Sequence, residues 1–533
     1  MVTKLGWRSL CIALLILGIV FRWVNLDAKV YWHDEAFTSL AVAGYTVDEV
    51  VDTLFVGREV SLEQLQVYQH LDPDRNIVQM VRSLAFTEPY HPPFYLIALR
   101  LWLQIWGESI AITRSLSAIA SLLIFPLVFW LNRELFQSSR AAWIGLALIS
   151  VSPFHVLFAQ EAREYVWLTV TTLLSSLTLL RALRLQTRRE WLWYGLSLTL
   201  GLYTSLMMIP VAVGQGLYVA LTRLHRSDPG QQSGKGLGKW HLEPQAIAYG
   251  ITSGLSILAF SPWLYALASR FSTLLGGTEW ATTPIPFSIW LRLWLFNLSR
   301  SFVDFNPFID DPAAYLPIAL VVALEGFALY SLCRQTDRKV WLYGVMLIAI
   351  VALPMAIADL VLGGSRVTAT RYLSPTEIGL QLPMAWWLAT VTEGSDRRHR
   401  LLWNTSLAAL ISFGILSCVA ISQADTWWNK GISIFQHQMA AAINQSEQPL
   451  LISDAFLSNP GNILALSHDL KPETTFFLLS NSETELKLPA NMERFQNVFF
   501  FNVSEQFLRA FSTTQKTEIV GVVQRLWRSR PRP

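Results

Sequence analysis

This sequence predicts a polytopic α-helical membrane protein carrying a small α/β domain at its C-terminal end. Three observations predict it. Of 533 residues, 52% are hydrophobic and only 15% charged, against about 25% charged in an average soluble domain. Apolar runs long enough to cross a bilayer recur through residues 1–423 and then stop. Many of the 22 tryptophans stand near the ends of those runs, as expected of the aromatic belts at the two membrane–water interfaces.

Eleven runs approach the length a spanning helix needs, about 17–25 residues: 9–26, 110–131, 141–158, 165–182, 190–205, 207–224, 245–266, 312–333, 340–360, 372–391 and 401–421. The first is too long for a secretory h-region and lacks a small-x-small cleavage site, so it is expected to remain as a span. Cys11, Cys333 and Cys418 all fall in or at the end of apolar segments. No disulfide framework and no CxxC metal motif can be read from them.

Lys and Arg in short connections set the orientation. Lys4/Arg8, Arg133/Arg140, Arg184/Arg188/Arg189, Arg223/Arg226/Lys235/Lys239, Arg334/Arg338/Lys339 and Arg397/Arg398/Arg400 fall on alternate connections. One threading makes all six cytoplasmic, provided that "HPPFYLIALRLWLQIWG" (91–107) lies in the interface without crossing. Its opening diproline and its internal Arg100 suit an amphipathic surface helix. The net charge of +3, carried by loops of this kind, gives no nucleic-acid signal. The expected protein is a multi-pass plasma (inner) membrane protein with a cytoplasmic N-terminus.

Residues 1–423 then form the membrane domain, with a first outer loop at 27–109 that has helical segments near 36–43, 47–56 and 61–69. Residues 424–533 form the outer α/β domain, with β-like runs at 450–453, 474–480, 497–503 and 518–523 and helical segments near 430–444 and 504–512. Its size supports a core of its own. "DPGQQSGKGLGK" (228–239) reads as a flexible cytoplasmic linker.

The candidate chemistry collects on the non-cytoplasmic side. "VYWHDEAFTSL" (30–40) places Asp34 and Glu35 directly after the first span. By itself the pair reads first as a solvated turn, and it also fits a general base with a like-charged neighbour to raise its pKa. In "QEAREY" (160–165), Glu161, Arg163 and Glu164 read either as an interfacial cap or as a phosphate-binding arginine with acids that orient an acceptor or a metal. "RVTATRYLSP" adds Arg366, Arg371 and Tyr372 on the outer side, against the positive-inside trend. An anionic headgroup or phosphate explains such arginines, and so does snorkelling. His91 opens the surface helix as an anchor or as a substrate contact. A metal held by His33, Asp34, His155 and Glu161 is conceivable, but the spacing matches no ligand motif.

An Asp-Glu pair after the first span, a His-Pro-Pro opening a surface helix and an Arg-containing turn after the third span together resemble the GT-C glycosyltransferases. "HPPFYLIALRLW", "SPFHVLFAQEAREY" and "TRYLSP" look most like the bacterial branch, of the family 39 type, related to protein O-mannosyltransferases and lipid A aminoarabinose transferases. The resemblance covers about 1–420, and relatives often carry a soluble outer domain beyond it. It implies transfer of a sugar, with inversion, from a polyprenyl-phosphate-linked donor to a lipid, glycan or protein acceptor on the non-cytoplasmic face, in building the cell envelope. Asp34 would be the catalytic base with Glu35 beside it. Arg163, and Arg371 with Tyr372, would face the donor phosphate. Some relatives keep an aspartate in the second outer turn, where this chain has Glu161 and Glu164, which leaves the second acidic role unassigned. No cofactor is required by this reading, and a divalent ion stays open. A transporter or flippase for lipid-linked sugars is the competing class. It would also want many spans and outward arginines, but no pair of interrupted helices marks a midplane site.

Overall fold

The structure, a computed structural model, describes residues 4–226, 240–277, 279–306, 310–393, 397–480, 492–505, 507, 509, 517–520 and 525–529. The chain folds as two compact units. A membrane unit takes Met1–Val24, Glu88–Tyr95 and Ser115–Gln423, and an α/β unit takes Asn25–Thr87, Leu96–Arg114 and Ala424–Pro533. The linker expected at 228–239 lies outside the described residues.

Among the described residues, seven helices are long and apolar enough to cross a membrane: Gly6–Trp23, Ile110–Phe136, Tyr165–Leu185, Pro244–Ser269, Pro312–Gln335, Arg338–Leu362 and Arg400–Ile443. An eighth crossing is available if Ser139–Ser150 and Pro153–Ala159, bent by 56°, form one span. The remaining runs expected to span are also helical, as Arg188–Thr204, Met208–Arg223 and Ser374–Val391.

The bent pair shows how charge is used inside this unit. Pro153 starts the second half, so the first half ends with carbonyls that no amide of its own helix can meet. Arg22 is fully buried and supplies the donors, to the carbonyls of Ser150 (3.0 Å) and Ile149 (3.1 Å). Its own helix comes this close because Gly18 faces the Ser150 backbone, where a side chain has no room.

Among the described residues of the α/β unit, six strands lie across the sheet in the order Arg58–Ser61, Thr475–Leu479, Pro449–Asp454, Asn497–Phe501, Leu526–Ser529, Thr517–Ile519. The central three are parallel and the outer pairings antiparallel. Pro449–Asp454 is buried along its whole length, as a parallel strand covered on both faces must be. Alternate residues serve the two faces. Leu451, Phe476, Leu478, Phe499 and Phe501 join one cluster, while Leu450, Ile452, Phe477, Val498 and Phe500 join the other.

The first cluster also contains Ala36, Leu40, Val50, Leu54 and Leu65, so helices of the first loop cover this face of the sheet. Each fully buried Leu contributes about 1.5–3 kcal/mol. That burial fixes helix His33–Ala43, whose Phe37 ring meets Gly461. Strands Pro449–Asp454, Thr475–Leu479, Asn497–Phe501 and Thr517–Ile519 fall on the four β-like runs, the last of which, 518–523, lies partly outside the described residues. Strand Arg58–Ser61 and strand Leu526–Ser529 were not expected, being short and without alternation that separates them from loop. The helix expected at 430–444 is interrupted, because Gly431 takes a left-handed φ of 54°. Arg100, expected to mark an amphipathic surface helix, is buried and donates to the Val42, Asp72 and Arg75 carbonyls.

Candidate active site

"VYWHDEAFTSL" forms the start of a helix, His33–Ala43, entered from extended Trp32. Asp34 and Glu35 both stand in its first turn, where the unpaired N–H groups favour negative charge. Their environments diverge from there. The Asp34 side chain is 16% exposed and sits 3.2 Å from His33 Nε2. The Glu35 side chain is 0% exposed.

Glu35 is held bidentately by Arg114, Oε1 from Nε at 2.7 Å and Oε2 from Nη2 at 2.7 Å. Arg114 also donates to the carbonyls of Leu26 (2.7 Å), Lys29 (2.9 Å) and Val30 (2.9 Å), so all five guanidinium N–H groups are engaged. Lys430 Nζ lies 3.4 Å from Glu35 Oε2, itself fully buried. Glu35 is thus fully enclosed, whereas the Asp34 side chain keeps 16% of its surface exposed.

In the membrane unit the turn 160–164 is tied to the end of the first span. Gln160 Nε2 donates to the carbonyls of Phe21 (2.8 Å) and Val24 (3.0 Å). Glu161 is buried in this turn. Glu164 lies 3.4 Å from Arg163 Nε and 3.6 Å from His91 Nδ1. Burial would raise its pKa, but the Arg163 guanidinium and His91 outweigh that and hold the carboxyl down to about 2. The folded pKa is then below the ordinary 4.5, so the stabilisation is complete above about pH 4.5 and is lost as pH falls toward 2. Glu164→Gln is expected to remove on the order of 3 kcal/mol of acid-sensitive stability, and melting curves across that window check it.

His91 is placed by the turn that precedes helix Phe94–Trp106. Trp263 Nε1 donates to the Pro89 carbonyl at 2.9 Å, and Gly277 lets the chain pass against the Tyr90 ring, where a side chain has no room. Tyr165 is the meeting point. Arg163 lies 5.5 Å and Arg371 6.0 Å from its ring centroid, and Arg163 Nε donates to its hydroxyl at 3.3 Å. Arg371 is further flanked by Trp280 at 5.1 Å and Tyr372 at 5.2 Å. Two guanidiniums thus lie around one tyrosine, among aromatic rings.

The structure thus gathers His91, Arg163, Glu164, Arg371 and Tyr372. Arg366 is engaged elsewhere, 3.2 Å from Asp359, whose carboxylate also accepts the N–H groups of Arg366 and Val367 at 2.9 Å. Asp34 and Glu35 belong to the α/β unit. Among the described residues, no group of three or more His, Cys, Asp or Glu side chains could hold a metal ion. Arg114, Lys430, Tyr165 and Trp280 are the residues that sequence reasoning did not single out. For Arg114 a signal existed, a charge inside the apolar run 110–131, since such charges are usually retained for a task.

Residues 90–233 match a family model described as dolichyl-phosphate-mannose-protein mannosyltransferase. That segment contains His91, Glu161, Arg163 and Glu164. Among curated proteins, none matches the chain significantly. Among solved structures, the fold is similar to ArnT from Cupriavidus metallidurans bound to undecaprenyl phosphate. The TM-score is 0.54 at 13% identity, over 99% of this chain and 98% of that one. The apo state of the same protein gives 0.53 at 13% identity, over 98% and 97%. The archaeal oligosaccharyltransferase AglB from Archaeoglobus fulgidus, in complex with an inhibitory peptide and a dolichol-phosphate, gives 0.50 at 13%, over 93% and 70%. The chain thus shares its fold with these membrane proteins, and one segment of it, residues 90–233, matches the mannosyltransferase family model.

Proposed function

We propose that the protein moves a sugar from a polyprenyl-phosphate donor to an acceptor hydroxyl on the non-cytoplasmic face of the plasma membrane. The observation that carries this reading is the convergence of Arg163 and Arg371 on Tyr165, within a unit built of membrane-crossing helices. A donor with a polyprenyl tail stays in the bilayer, so its phosphate must be met at the interface. ArnT with undecaprenyl phosphate and AglB with a dolichol-phosphate show that proteins of this fold take such lipids.

In the reaction the acceptor oxygen attacks the anomeric carbon and the bond from that carbon to the phosphate oxygen breaks, with inversion. Asp34 takes the hydroxyl proton, and polyprenyl phosphate leaves with the electron pair. The leaving group needs no proton, so catalysis reduces to removing one proton and balancing one developing charge. Asp34, reachable beside His33, serves the first need, and Arg163 with Arg371 the second. Glu35, bound to Arg114, supports Asp34 through the backbone. His91 and Glu164 orient Arg163, Tyr372 flanks Arg371, and Glu161 and Arg366 shape the turns that carry the arginines. The N-terminus lies in the cytoplasm and residues 424–533 outside.

Purified protein in liposomes is expected to transfer radiolabelled sugar from a polyprenyl-phosphate donor to an added acceptor. Movement of intact donor across the bilayer without transfer would show a flippase instead. Arg371→Ala is expected to lower kcat/KM for the donor about 100-fold, and an unchanged donor dependence would remove the arginine from the phosphate site.

A further inference from the structure

The segment that opens the C-terminal region, "ADTWWNKGISIF" (424–435), lies along the chain that bears Asp34. Val30 N–H donates to the Asp425 carbonyl at 2.8 Å. Five residues on, the fully buried Lys430 ammonium lies 3.4 Å from Glu35 Oε2 and 5.5 Å from the centre of the Trp32 ring. One side chain therefore touches the residues on both sides of the His33–Asp34 pair. Gly431 follows, at a φ of 54° and ψ of −123° that costs an L side chain strain. A β-carbon there would come 4.0 Å from His33 Cε1.

Arg114 already satisfies Glu35 in bidentate geometry, so neutralising Glu35 does not call for a second cation. What Lys430 adds is direction. Arg114 grips the segment through the carbonyls of Leu26, Lys29 and Val30, all before the reactive pair, while Lys430 closes on it from the far end of the sequence.

We propose that Lys430 is a positioning residue for Asp34, and that Lys430–Gly431 make the C-terminal region part of the transferase machinery. The ammonium brackets His33–Asp34 between Trp32 and Glu35 and holds the first helical turn in one geometry. This rests on the function proposed above, with Asp34 as the base. A shift of about 1 Å in a reacting group is enough to cost about 100-fold in rate, so the contact acts on kcat and leaves donor affinity alone.

The test compares Lys430→Met and Lys430→Arg in full-length protein reconstituted with the donor. The Met variant is expected to fold, to lose about 10- to 100-fold in kcat with donor KM unchanged, and to show faster amide exchange over residues 32–36. The Arg variant, which keeps a cation on Glu35, is expected to recover kcat to within about threefold of wild type. Wild-type kcat in the Met variant, equal losses in both variants, or failure of the Met variant to fold would each overturn the proposal. A wild-type protein that transfers no sugar counts against the function itself. The exchange rates over 32–36 then still decide whether Lys430 holds this segment.

Discussion

Asp34→Asn is expected to leave the protein folded and inserted while lowering sugar transfer about 1,000-fold, within the range a positioned general base contributes. The substitution is isosteric, and the side chain is 16% exposed, so no buried charge is created or stranded. The amide oxygen can still accept from His33, which keeps the helix start in place. What it cannot do is take a proton from the acceptor hydroxyl. Turnover and melting temperature measured on the same preparation separate the two effects. Transfer at near wild-type rate by the Asn variant would rule Asp34 out as the base.

The second large effect is on stability. Arg114→Met removes a guanidinium that makes two bonds to Glu35 and three to main-chain carbonyls. Breaking one side of a buried ion pair costs about 3–5 kcal/mol, because the remaining charge stays buried. The orphaned carbonyls add to that cost. Lys430 keeps part of the compensation for Glu35, which points to the lower half of that range. Pairing Arg114→Met with Glu35→Leu is expected to recover much of the loss, since removing both partners of a buried pair is often close to neutral. Thermal unfolding of the two variants checks this. A single variant within about 1 kcal/mol of wild type would mean that Arg114 does not anchor the segment.

Much of the fold was legible because it follows from apolar patterning. Apolar runs of spanning length marked the membrane helices, and the short β-like runs "LLIS", "TTFFLLS" and "NVFFFNV" marked the core strands of the sheet. Pairings between distant segments were not legible. Nothing in "REVS" (58–61) says that Arg58 will pair with Leu478, because register across more than 400 residues is a property of the packed unit. The arginine turns were readable as charges in short loops between apolar runs. Their meeting at Tyr165 was not, since ring contacts depend on how Tyr165–Leu185 and Ser374–Val391 are oriented.

The Asp-Glu pair shows the same limit at one residue's scale. Adjacent acids look alike in sequence. Helical geometry rotates neighbours by about 100°, so Glu35 enters the interior toward Arg114 while Asp34 stays accessible. Lys430 carried no local signal at all, because its partner is 395 residues away.

A structure with bound undecaprenyl phosphate tests the central claim most directly. The phosphate oxygens are expected within hydrogen-bonding distance of both the Arg163 and Arg371 guanidiniums, beside Tyr165, with the isoprenoid chain running along the apolar helices of the membrane unit. A phosphate bound away from both arginines would contradict the proposed donor site.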